Sequence, residues 1–114
     1  MKPLELGNLI EIAGGDQSFV LDMLRIYLKN LPGMMDPLSE AFEKTDVDGV
    51  IRWSHKLKSA SGAAGAVMVL QHADIIEQMA IKDSEFKELM QQFEELQESI
   101  AVTKPAINEY LASH

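Results

Sequence analysis

The chain has no cysteine among its 114 residues. Disulfide staples and thiolate chemistry are therefore excluded, and a reducing, cytoplasmic compartment is the expected location. Long apolar runs are missing as well: nothing approaches the ~20 consecutive apolar residues that a membrane-spanning helix needs. The opening stretch MKPLELGNLIEIAGG does not read as a signal peptide, because Glu5 and Glu11 interrupt what would have to be its apolar segment. Basic charge is scarce. Ten Lys and Arg stand against eighteen Asp and Glu, and the net charge of -8 argues against general binding to nucleic acid or anionic membranes. Strand signals are nearly absent, since no alternating β-branched run is bounded by turn residues. What is there suits one soluble, all-α domain over 1–114: 46% hydrophobic residues are enough for a single core.

Helical periodicity runs through the chain. A short first helix is expected over Leu4 to Ala13, ending at Gly14-Gly15. Asp16 then reads as an N-cap. Phe19, Val20, Met23, Leu24, Tyr27 and Leu31 follow at spacings of three and four, one apolar stripe continued by Leu38, Ala41 and Phe42. Pro32 and Pro37 are expected to kink this helix or to start new helical pieces. Thr45 or Asp46 caps the next helix, with Thr45-x-x-Asp48 resembling a capping box, and that helix stops near Gly65. A further helix covers about Val67 to Lys82. Ser84 is the expected cap of the last, whose apolar positions are Phe86, Leu89, Met90, Phe93, Leu96 and Ile100, with a kink or break at Pro105. Short connections make sequential helices antiparallel neighbours, so the expected fold is an antiparallel up-down four-helix bundle with a short extra N-terminal helix. The seven methionines lie within these stripes and read as core filling, and Glu94, Glu95 and Glu98 as a solvated face.

One helix departs from this pattern. On a projection at ~100° per residue, Val50, Trp53, Leu57, Ala60, Ser61 and Ala64 share a broad buried face. His55, Lys58, Ser59 and Gly62 fall on the opposite side, with Ile51 and Arg52 at its margins. His55 should therefore point to solvent. Between Gly49 and Ala73 there is no Asp or Glu, while Arg52, Lys56 and Lys58 are present, so this segment is basic within an acidic chain. Solvated helix faces usually mix signs. Gly62 costs roughly 1 kcal/mol relative to Ala in a helix interior, and internal packing does not account for a glycine on the outer face. Ser59 and Gly62 leave the surface low beside the imidazole, open to close approach by another protein.

Phosphoryl acceptance suits this arrangement. An imidazole is largely neutral at cytosolic pH, and its lone pair attacks phosphorus without a general base. Lys58, one turn on, offsets phosphoryl charge. Other chemistries fit poorly. His72 and His114 are too distant in sequence to suggest a metal site with His55. Ser59 and Ser61 beside His55 suggest a hydrolase only superficially, since no acid is expected to orient the imidazole nearby. SGAAGA lacks the Gly-Lys-Ser/Thr ending and the preceding strand of a phosphate loop.

The run His55-Lys56-Leu57-Lys58-Ser59-Ala60-Ser61-Gly62-Ala63-Ala64-Gly65-Ala66 resembles the signature of histidine-containing phosphotransfer (HPt) domains: His, any residue, an apolar residue, Lys, Gly, small residues, then Gly about ten after the His. Gly14-Gly15-Asp16, Leu31-Pro32, the approach from Asp46 to Val50, and Ile75-Ile76-Glu77 are similar to the family too. The resemblance implies a four-helix bundle whose histidine takes a phosphoryl group from a receiver-domain aspartyl phosphate and passes it to another receiver. His55 matches the phosphorylated position, Lys58 the assisting basic residue, and Gly65 the later glycine, read as letting the helix end and turn. Ile51, Arg52, Lys56, Ser59 and Gly62 are the expected partner-binding residues. The implied partners are response-regulator receivers or a hybrid sensor histidine kinase. The chain itself is expected to be a monomeric carrier with no cofactor and no kinase activity, Mg²⁺ belonging to the receiver. Ser59 departs from the family's usual Gly; its hydroxyl is a candidate hydrogen-bond partner for the imidazole or the phosphoryl group. Glu77 lies where family members help hold the imidazole, a surface salt bridge being the alternative. Two competing readings are a helical adaptor that binds receivers without transfer, and the phosphoacceptor domain of a chemotaxis-type kinase.

Overall fold

The computed structural model describes residues 2–114. Five helices follow in order: α1 (Gly7–Ile12), α2 (Gln17–Glu43), α3 (Val47–Ala64), α4 (Val67–Ile81) and α5 (Phe86–Ser113). The four long ones form the expected bundle. Helix α3 packs between α2 and α4, α5 packs on α4, and α2 against α5 closes the ring. The body is an elongated 44 × 24 × 21 Å.

The stripes meet at the bundle axis. Val20, Leu24, Leu31 and Leu38 of α2, Val50 and Leu57 of α3, Val69 and Ile76 of α4, and Leu89, Leu96 and Ile107 of α5 are all fully buried. At one end Phe42 of α2 stacks on Phe93 of α5, ring centroids 4.4 Å apart, and meets Phe86 at 5.5 Å. Such aromatic pairs add about 0.5–1.5 kcal/mol each beyond their area burial. Phe19, expected in the stripe, is exposed instead, one turn from the helix start.

The helix ends are set by local chemistry. Asp16 accepts from the amides of Ser18 and Phe19, the N-cap expected of it. Before α3, Asp46 is the cap and accepts from Gly49 N at 3.1 Å. The Thr45–Asp48 box does not form: Thr45 sits at φ +53° and its amide closes α2 on the Phe42 carbonyl. Ser84 does not cap α5 either, because Glu85 occupies the cap position. The Ser84 amide is committed to the Met79 carbonyl at the end of α4, and α5 begins at Phe86 without a side-chain cap. Pro32, Pro37 and Pro105 interrupt neither long helix; α2 and α5 each run as one element through them. A proline removes one internal hydrogen bond, and the buried leucines on both sides keep these helices in register with the core.

Helix α3 ends on Gly65 at φ +74°, the left-handed conformation that glycine adopts without cost. The Gly65 carbonyl accepts from Glu5 N at 2.9 Å, so the N-terminal segment is pinned across this turn. A Cβ at Gly65 would meet Glu5 O at 2.5 Å. The glycine thus serves the turn and also the approach of the N-terminal segment.

Candidate functional site

Helix α3 has one face in the core and one in solvent. Val50, Ser54, Leu57, Ser61 and Ala64 are buried, while Trp53 and Ala60, expected there too, are only half-buried. His55, Ser59 and Gly62 are exposed as their positions on the helix require, and the His55 side chain is 58% exposed. Tyr27 and Ser61 join α2 to α3 beneath this face: their hydroxyls lie 2.7 Å apart in the core, and burial pushes the Tyr27 phenol up to about 12 against the lowering effect of that hydrogen bond.

The imidazole is held from α4. His55 Nδ1 lies 2.7 Å from Oε2 of Glu77, a carboxylate that is 8% exposed. A carboxylate only accepts, so Nδ1 carries the hydrogen and the neutral ring's lone pair is at Nε2. The other oxygen, Oε1, pairs with Lys58 Nζ. A buried carboxylate is costly unless both oxygens find partners; Glu77 has one on each. Lys58 also reaches Asp74 Oδ1 at 3.3 Å. The Glu77 carboxylate is the main cause that holds the Lys58 ammonium above its ordinary range; partial desolvation opposes it and Asp74 reinforces it. One chain of contacts, His55–Glu77–Lys58–Asp74, therefore ties α3 to α4.

This geometry changes the expected charge pattern. The basic segment has no acid of its own, but the two acids just beyond it in sequence fold back onto Lys58. Arg52 and Lys56 turn the other way. Arg52 lines a shallow groove with Pro37 and Glu40 of α2 and Lys44 just past its end, and Lys56 Nζ lies over the Trp53 ring, 4.5 Å from its centroid. The positive patch is thus split around His55: Lys58 compensated on the α4 side, Arg52 and Lys56 on the α2 side.

Each remaining expected residue has a definite place. Ile51 is half-buried, one turn before His55. Ser59 makes no hydrogen bond to the imidazole; Glu77 fills that role. Glu77 is not the surface salt bridge that stood as its alternative, because its side chain is inside the α3–α4 seam. Gly62 is open: a Cβ there would meet only Leu70 Cδ1, at an ordinary 3.8 Å. Sequence reasoning missed Asp74, whose signal is its spacing of three from Glu77 on one side of α4, beside the core positions Ala73 and Ile76.

The face therefore combines a half-exposed imidazole with its Nδ1 held by Glu77, a lysine one carboxylate away, and a low surface over Ser59 and Gly62. The family model for the Hpt domain matches residues 22–104 of the chain. No curated protein and no solved structure matches it.

Proposed function

Because the chain belongs to the Hpt domain family, we propose that it is a phosphorelay intermediate that accepts a phosphoryl group on His55 from a receiver-domain aspartyl phosphate and delivers it to a second receiver. Domains of this family carry phosphoryl groups on histidine, interact with receivers and histidine kinases, and are not kinases themselves. The observation that carries the assignment to His55 is the exposed imidazole whose Nδ1 is held by Glu77, which leaves the Nε2 lone pair as the nucleophile.

In the proposed step the Nε2 lone pair forms the N–P bond in line as the aspartyl O–P bond breaks. The bonding electrons leave on the receiver's carboxylate. No proton has to move, because Nδ1 keeps its hydrogen. The ring becomes cationic, and the Glu77 carboxylate stabilises that charge through the same hydrogen bond. Lys58 offsets phosphoryl charge from the α4 side. Mg²⁺, held by the receiver, supplies the compensation on the leaving carboxylate. Ile51, Ser59 and Gly62 form the centre of the docking surface, and Arg52 and Lys56 its charged rim. Small side chains at Ser59 and Gly62 allow the aspartyl phosphate to reach Nε2.

The test is transfer from a panel of phosphorylated receivers, with His55→Gln as control. Acid-labile, base-stable label on the wild type alone supports the relay. Binding to a receiver without label refutes it and leaves an adaptor.

A further inference from the structure

Lys58 is the basic residue nearest the imidazole along the contact chain, yet it is held by two carboxylates of α4. Glu77 already has a task, since it holds His55 Nδ1. Asp74 has none of that kind. It is half-exposed, it touches Lys58 at 3.3 Å and makes no other side-chain hydrogen bond among the described residues. A phosphoryl group on Nε2 would carry up to two negative charges and would compete with Asp74 for the same ammonium. Its own charge would also repel the Asp74 carboxylate.

We infer that Asp74 is a positioning residue that restrains Lys58 and thereby keeps phospho-His55 poised to give up its phosphoryl group. This rests on the phosphoacceptor reading of His55. The reasoning is electrostatic. The phosphorylated state needs a cation, and the lysine that can supply it is shared. Each degree by which Asp74 keeps Lys58 raises the free energy of phosphohistidine relative to the aspartyl phosphate of the next receiver. The bonds made and broken are those of the transfer step above, and Asp74 takes part in none of them. Arg52 and Lys56 do not substitute for Lys58, because they face the α2 side of α3. Glu77 does not substitute for Asp74, because its removal frees the ring as well as the lysine.

The experiment separates this from the relay itself. Wild type, Asp74→Asn, Lys58→Ala and the double variant are loaded chemically with phosphoramidate, whose N–P bond breaks to release ammonia. The ³¹P resonance of phosphohistidine is then titrated against pH. Removing a like charge and releasing a cation both favour the phosphoryl dianion, so Asp74→Asn should lower the titration midpoint by about half a pH unit. The fall should shrink when Lys58 is Ala. In exchange with a phosphorylated receiver, Asp74→Asn should independently shift the equilibrium toward phosphohistidine, by roughly threefold, because the phosphorylated state gains most from a freed cation. An unmoved midpoint overturns the inference, and so does a fall of equal size without Lys58. A protein that loads chemically but takes nothing from any receiver would refute the relay, and the titration would still decide the role of Asp74. Asp74 lies at the surface of α4, so Asp74→Asn does not threaten the core.

Discussion

His55 Nδ1 and Glu77 Oε2 stand 2.7 Å apart across the α3–α4 seam, the imidazole mostly in solvent and the carboxylate almost wholly out of it. The inequality matters. A buried acceptor has few alternative partners, so it fixes the ring, whereas a solvated one would compete with water. Glu77→Ala should therefore slow phosphoryl acceptance by roughly 10- to 100-fold, the cost typical of a misplaced reacting group. Glu77→Gln should recover much of the loss, since its amide oxygen still accepts from Nδ1, but without the charge that stabilises the cationic phosphorylated ring. Single-turnover rates, with ¹⁵N spectra to report the tautomer, check both. Equal rates for all three proteins would remove Glu77 from the mechanism.

Gly62 is small without an internal reason to be so. Leu70 Cδ1 is the nearest atom to an added Cβ, at contact distance. Gly62→Ala should stabilise the fold by about 0.5–1 kcal/mol, the usual helix preference for Ala over Gly. Gly62→Leu should fold too, yet it should weaken receiver binding at least several-fold by raising the surface beside His55. Thermal melts and binding titrations give the two readouts. Unchanged affinity in the Leu variant would place the docking surface elsewhere.

Gly65 predicts the opposite outcome three residues later. Its φ of +74° and the Glu5 carbonyl 2.5 Å from a built Cβ leave no room for a side chain. Gly65→Ala should cost roughly 1–3 kcal/mol, the range for residues forced into such backbone. It should also release the N-terminal segment, so amide exchange at Glu5, whose N–H bonds Gly65 O, should accelerate. A melt like that of the wild type would show that the segment's docking tolerates a shift.

How far the sequence foretold this site depends on the range of the forces involved. The exposure of His55, Ser59 and Gly62 follows from helical periodicity, which is local. The Asp16 cap is equally local. Glu77 entered only through the family resemblance, and Asp74 not at all, because pairing Lys58 with residues 16 and 19 positions away depends on how α4 lies against α3. The compensation of Lys58 within the basic segment was hidden for the same reason: a run without acids says nothing about acids that fold onto it. Ser84 and Thr45 carry cap-forming side chains, but each lies one residue too early: Asp46 is the cap of α3 and Glu85 stands at the cap position of α5. The prolines of α2 suggest a kink or the start of a new helical piece; α2 runs unbroken through both, and with Leu24, Leu31 and Leu38 fully buried along it the packing outweighs the missing bonds.

Tyr27 offers a prediction about stability rather than transfer. Its hydroxyl meets that of Ser61 at 2.7 Å, and its phenol ionises at about 12 in the folded protein against 10.0 for the ordinary group. The folded state holds this proton more tightly than the unfolded chain does. Its contribution is therefore fully present below pH 10.0 and is lost as pH rises toward about 12. At one proton and 1.36 kcal/mol per pH unit, the wild type should lose up to roughly 2 kcal/mol across that window from this group. Tyr27→Phe lacks the titrating group, so its stability should fall less steeply there. Near neutral pH the same variant should be less stable by about 1–3 kcal/mol, because the Ser61 hydroxyl is left buried without its partner. Denaturant unfolding of both proteins at pH 7 and across the alkaline range distinguishes the two effects. Parallel slopes above pH 10 would mean that the phenol reaches solvent more freely than its burial between α2 and α3 implies.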